Sequence, residues 1–141
     1  MSTRQCPSAS TVRQGGAART TPGNSDPSSS RWLREWAPGL ATLEYERLLD
    51  RVRDLVGERR FAYGVQLVAG ATDPLAIALG YSELAEAALC VLADATVAEF
   101  VATHGRISDS ELVVLALGRL GGRALTHASD LDLIYLFTGD H

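Results

Sequence analysis

The chain has no lysine. All 13 of its basic residues are arginine, and a Walker A phosphate loop is excluded because no Gly-Lys-Ser/Thr occurs. Cysteine is scarce: Cys6 and Cys90 stand far apart, in neither C-x-x-C nor metal-ligand spacing. No disulfide framework follows, and a reducing cytoplasm is the expected compartment. No uninterrupted apolar run reaches the roughly 18 residues that span a bilayer. The N-terminus lacks the apolar core of a secretory signal. Positive charge is not in excess, since the net charge is −4. That gives no general case for a nucleic-acid or membrane surface. What remains, 141 residues of which 46% are hydrophobic, suits one domain with a modest core.

Met1 to Ser30 is almost without large apolar side chains and rich in Ser, Thr, Gly, Pro and Arg. Such a segment buries too little surface to offset its ordering entropy and is expected to be a disordered tail. An Arg- and Ser-rich, acid-poor tail also fits a transit peptide, but no amphipathic face is visible. A flexible tail or a misplaced start codon fits better.

Residues 31–109 read as a helical block. Trp32, Leu33 and Trp36 begin the apolar pattern, which Pro38-Gly39 interrupts. From Leu40, helical spacing links Leu43, Leu48, Val52, Leu55 and Val56, with Gly57 as the predicted stop. Glu58 to Ala69 fits a second helix through Phe61, Val65 and Val68, ended by Gly70. Asp73-Pro74 predicts a helix start, as N-cap and first helical residue, and a short helix to about Gly80. Ser82 is expected to cap the longest helix. Its apolar face carries Leu84, Ala88, Val91, Leu92 and Ala95, with Glu83, Glu86, Asp94 and Glu99 mostly off that face. It ends at His104-Gly105, where the imidazole complements the helix dipole.

Residues 110–141 change character. Leu112 to Leu117 and Leu131 to Phe137 are short apolar runs bounded by turn signals, the pattern of strands buried on both faces. Between them lies GRLGGRALTHAS. Gly121-Gly122 predict positive φ or close backbone approach, and exposed amides there could cradle a phosphate. Arg119 and Arg123 add positive charge, and Ser129 offers a hydroxyl to the same phosphate or caps the turn. Asp130 and Asp132, one residue apart on a strand, point to one face and could share a hard cation. An acid inside an apolar strand is costly unless paired or metal-bound, which argues for a role for Asp132. A dinucleotide-binding turn fits less well, because G-x-G-x-x-G is absent and the acids come too early. A turn residue at Asp130 with a surface acid at Asp132 remains open on the residues alone.

The run Ala116-Leu117-Gly118-Arg119-Leu120-Gly121-Gly122-Arg123-Ala124-Leu125, followed by Ser129-Asp130-Leu131-Asp132-Leu133-Ile134-Tyr135, resembles the signature of the bacterial bifunctional glutamine synthetase adenylyltransferase and adenylyl-removing enzyme. Arg59-Arg60-Phe61, Tyr81-Ser82-Glu83-Leu84-Ala85-Glu86 and His104-Gly105-Arg106 look like that family's helical lead-in. The resemblance covers about Trp32 to Phe137.

It implies an α+β chain: a helical lead-in, then the first two strands of a polymerase-β-like nucleotidyltransferase core. It also implies transfer of AMP from ATP to a tyrosine of glutamine synthetase, or its phosphorolytic removal, with magnesium as the metal. Asp130 and Asp132 match the motif's metal-binding acids. Gly118, Arg119, Gly121, Gly122 and Ser129 match the phosphate-binding turn, with Arg119 where lysine is common. Glutamine synthetase and the nitrogen signal protein PII are the implied partners, and the lead-in looks more like the adding half. Two departures stand out. Ala124 replaces a usual Glu, so a support for the loop is expected to be missing. A third carboxylate from a later strand is also absent, because Asp140 comes too early. The chain is therefore expected to be truncated and to have little or no transferase activity alone. A non-enzymatic module binding glutamine synthetase or PII, and a minimal transferase completed by another chain, are the alternatives.

Overall fold

The computed structural model describes residues 3–5, 10–14, 32, 35–36, 38–107 and 110–138. The chain is α+β. Two long helices, α1 (Tyr45–Val68) and α2 (Pro74–His104), precede β3 (Glu111–Ala116), a single helical turn α3 (Gly118–Gly121) and β4 (Leu133–Thr138). Two short strands, β1 (Thr3–Gln5) and β2 (Ser10–Gln14), complete a sheet of order β1-β2-β3-β4. β2 runs parallel to β3, and β4 pairs antiparallel with β3 from Glu111↔Thr138 to Ala116↔Leu133.

The strands at 3–5 and 10–14 depart from the expectation of a tail without structure. The free edge of β3 presents unpaired amides and carbonyls. Pairing with them is backbone to backbone and does not need the apolar side chains that this segment lacks. The rest of Met1 to Ser30, including Cys6, lies outside the described residues, as do Asp140 and His141.

Helix α2 is the structural centre. Asp73 caps it by accepting from the Ala76 amide at 3.3 Å, and Pro74 follows in the first turn. It ends at Gly105, with φ +82°. The expected break at Gly80 does not occur. Ser82 lies inside the helix, its hydroxyl donating to the Ala78 carbonyl at 3.0 Å. Two faces of the helix are buried. Leu84, Ala87 and Ala88 pack with Val52 of α1 and with Trp32, Trp36 and Leu40. On the other side Ile77 and Tyr81 meet Ala116, Leu120 and Leu125, while Cys90 meets Val114. By length and composition α2 would cross a membrane, contrary to the absence expected from uninterrupted runs. However, 56% of its most apolar window is buried within the protein, as befits a helix that is apolar on several sides and lies in a core.

The predicted stop at Gly57 is overridden in the same way, and α1 runs unbroken through Gly57 and Gly64. A mid-helix glycine costs only about 0.5–1 kcal/mol, less than the roughly 1.5–3 kcal/mol gained by burying one side chain such as Val52. Gly80 differs from Gly57. A Cβ at Gly80 would come within 2.7 Å of the Tyr63 ring, whereas at Gly57 it would meet nothing within 4 Å. Gly80 is therefore where α1 and α2 cross closely. Tyr63 there lies edge-on to Tyr81, with ring centroids 5.3 Å apart.

The sheet is covered on one side. Val114 and Ala116 are buried against α2, but Ile134, Tyr135, Leu136 and Phe137 of β4 are exposed. The expectation that both strands are buried on both faces holds for neither: Val113 and Leu115 are only half-buried. Among the described residues β4 is an edge strand that joins the packing on the α2 side only through Leu133, and no second layer covers the far face.

The two glycines give opposite expectations. Gly57→Ala raises stability by about 0.5–1 kcal/mol through helix propensity. Gly80→Ala lowers it by about 1–2 kcal/mol, because the Tyr63 ring must swing away from Tyr81. Urea unfolding of the two variants checks the contrast.

Candidate functional site

The site forms where β3 ends. The β3–β4 ladder gains one more bond beyond the strands, from the Leu117 amide to the Asp132 carbonyl at 2.9 Å. The chain then turns through Gly118, whose φ is +54°. A Cβ at Gly118 would lie 2.3 Å from Asp132 Oδ2. Any side chain at this position would displace that carboxylate from the turn. Here the glycine meets both demands, a left-handed backbone and a close approach.

The helical turn α3 follows at once. The Gly121 amide bonds the Leu117 carbonyl at 2.9 Å, and the Gly122 amide bonds Gly118 at 3.0 Å. The earlier amides of such a turn have no intrahelical acceptor. Of the positive φ or close backbone approach expected at Gly121-Gly122, the positive φ falls instead on Gly118 and on Arg123, at φ +55°. Gly122 sits at φ −82°, with space for a Cβ only 3.4 Å from the Gly118 carbonyl. Arg119 is exposed on this turn.

Asp130 and Asp132 precede β4 rather than lying within it. Both are exposed, so neither is an acid buried in an apolar strand. Leu133, opposite Ala116, turns toward the helices. The alternation of an extended chain therefore sets Asp132 on the opposite face. Among the described residues neither carboxylate is engaged by a hydrogen bond or ion pair, and no group of three or more His, Cys, Asp and Glu side chains is gathered. Two free carboxylates flanking Leu131 are hard oxygen donors of the kind magnesium takes, so the residues present fit that ion as part of its shell.

Ser129 fulfils the capping role. Its Oγ accepts from the Thr126 amide at 3.0 Å and lies 2.8 Å from the Thr126 hydroxyl. The Arg123 side chain is drawn to helix α2. Its guanidinium reaches Glu83 at 3.2 Å and Glu86 at 3.9 Å. These acids, read as mostly off the helix's apolar face, are only 9% and 5% exposed. The loop thus has support despite Ala124. The Leu125 amide donates to Ser82 Oγ at 3.2 Å, and an Arg60 guanidinium nitrogen donates to the His127 carbonyl. A groove of about 160 Å³ opens between α2 and this loop, walled by Leu84, Ala88, Leu89, Leu125 and Leu131.

The arrangement is a glycine corner closed on one of two unpaired acids, displayed on the open face of an antiparallel strand pair within an α+β fold. The glutamate-ammonia ligase adenylyltransferase family matches residues 24–141, and the chain belongs to that family. It is 42% identical over 96 residues to the bifunctional glutamine synthetase adenylyltransferase/adenylyl-removing enzyme of Mesorhizobium japonicum, covering 68% of this chain and 10% of that protein. The enzymes of the same name from Brucella suis and Rhizobium meliloti are 38% and 35% identical, covering 72% and 74% of this chain and 10% and 11% of theirs. The chain therefore spans about a tenth of the length of these relatives. No solved structure matches it significantly.

Gly118→Ala forces a methyl into the space of the Asp132 carboxylate and a left-handed φ onto an L-residue. Stability is expected to fall by about 1–3 kcal/mol, measured by chemical denaturation. Asp132→Asn, which changes charge at an exposed position, is expected to leave stability within about 0.5 kcal/mol.

Proposed function

We propose that this chain carries the nucleotide-binding corner of an AMP-transfer site of polymerase-β-like type. The donor is ATP and the acceptor is a tyrosine of glutamine synthetase. The observation that carries the reading is the contact of Asp132 with the Gly118 turn. It brings an acid, the amides that open a helical turn and the exposed Arg119 to one end of β3. A triphosphate is the ligand class that needs all three: amides and a guanidinium for its oxygens, and acids for the cation that travels with it. Magnesium held by Asp130 and Asp132 would neutralise phosphate charge in the transfer. Gly118 keeps the corner open, while Ser129 and Thr126 close the turn that leads into Asp130.

Glutamine synthetase as acceptor is supported by the names of the relatives. PII as regulator, a cytoplasmic setting and the adding rather than the removing direction rest on the sequence resemblance alone. The resemblance also implies a third carboxylate, and none joins the pair among the described residues. The chain by itself is therefore expected to bind the nucleotide without turning it over.

Calorimetric titration with ATP, with and without magnesium, tests this reading. Magnesium-dependent binding is expected. Asp132→Asn should weaken it at least tenfold with an unchanged circular dichroism spectrum, and unchanged affinity would sink the proposal. With glutamine synthetase added, AMP transfer by the isolated chain at the rate of a complete enzyme would refute the expected lack of turnover.

A further inference from the structure

Arg123 is the only non-glycine residue with positive φ among the described residues. At such a position L-side chains are disfavoured and glycine is the usual occupant. Its side chain is four-fifths buried and spans 40 positions of sequence to Glu83. Glu83 and Glu86 stand one turn apart on α2. Both are buried, and buried carboxylates need a partner. An ion pair of this kind adds little net stability over apolar packing but fixes position strongly, since separating the charges is costly.

Around Arg123 the chain is tied at successive residues. The Arg123 amide bonds Leu120 at 3.0 Å, and the Ala124 amide returns to Arg119 at 2.9 Å. The Leu125 amide reaches Ser82 Oγ, and the Leu125 side chain is buried in the cluster with Ile77 and Tyr81. A second tie runs through α1. The Tyr81 hydroxyl donates to the Arg60 carbonyl at 3.2 Å, and Arg60 donates to His127. One end of the tied segment is Gly118, against which Asp132 lies; the other leads to Asp130.

We infer that Glu83, Glu86 and Arg123 form a positioning clamp through which helix α2 sets the glycine corner against the two acids. None of the three touches the nucleotide. The inference rests on the nucleotide-binding reading for its consequence, but the clamp has its own observable. The guanidinium holds the left-handed turn at Arg123. That turn fixes where Leu125 enters the core, and both together hold the Gly118–Gly122 segment beneath Asp132.

The test uses the full 141-residue chain and three variants. Arg123→Gly keeps the backbone conformation accessible and removes the guanidinium. Glu83→Gln/Glu86→Gln/Arg123→Gly also removes the stranded acids, in case the single variant does not fold. Arg123→Lys keeps charge without the planar fork. Amide hydrogen exchange by NMR reports the loop at Leu117, Gly121 and Leu125, with Val52 and Leu84 as the helical reference. Manganese-dependent ATP affinity reports the site.

In the triple variant, exchange at Leu125 and Gly121 is expected to quicken at least tenfold while the helical amides and the melting temperature hold. Affinity for manganese-ATP falls about tenfold or more, the scale for groups that orient metal ligands, and Arg123→Lys recovers only part of it. Unchanged loop exchange overturns the clamp. Faster loop exchange with unchanged nucleotide affinity overturns its positioning role. A wild-type chain that binds no manganese-ATP, yet shows the loop change on substitution, overturns the nucleotide reading and leaves the clamp standing.

Discussion

The structure depends on the burial of helix α2 from two sides. Ala87 and Ala88, with Leu84, face α1 and the tryptophans, while Ile77, Tyr81 and Cys90 face the sheet. A helix in that position cannot expose a polar stripe along its middle. Its polar groups must either be absent or find partners in the protein. Both solutions occur: apolar residues, alanine and leucine foremost, fill most positions, and Ser82, Glu83 and Glu86 take partners from the loop after β3. The same helix therefore forms the core and holds the candidate site in place.

The division of the sheet into two faces follows from this. The side toward α2 carries Val114 and Ala116, and Leu133 joins them from β4. The opposite side carries Asp132 at the end of the ladder. Exposure suits the role proposed for it, because an acid that is to meet a cation must not already be paired within the protein. Gly118 links the two sides. It ends the strand packed on the helix and leaves the space into which the carboxylate settles.

Much of this was legible in the sequence, and the misses share physical causes. The two apolar runs became β3 and β4, and Asp73-Pro74 opened a helix as its chemistry dictates. Glycine was the misleading signal. Gly57 and Gly80 read as helix stops, yet tertiary packing outweighs their modest intrinsic cost, and Gly80 is retained because a tyrosine ring lies on it. Gly121 and Gly122 read as sites of positive φ or close backbone approach, but the left-handed conformations belong to Gly118 and Arg123. Glu83 and Glu86 read only as residues mostly off the helix's apolar face, because their partner lies far away in sequence. Two acids one turn apart on an otherwise apolar helix were the available sign of a buried ion pair. Asp130 and Asp132 were singled out by their spacing, but their place ahead of β4, outside its buried pattern, was not foreseen.

The register of β4 has a consequence for how the gene can vary. Side chains alternate faces with every residue, so a slip of one position exchanges them wholesale. With Ala116 fixed opposite Leu133, a single residue inserted between Asp132 and Leu133 would turn Asp132 toward the apolar helix layer or push Leu133 out into water. The loop from Gly122 to Thr126 is held by contacts of its own and could absorb little of the shift. The step from Asp132 to Leu133 therefore carries a constraint of length that is separate from which residues occupy it.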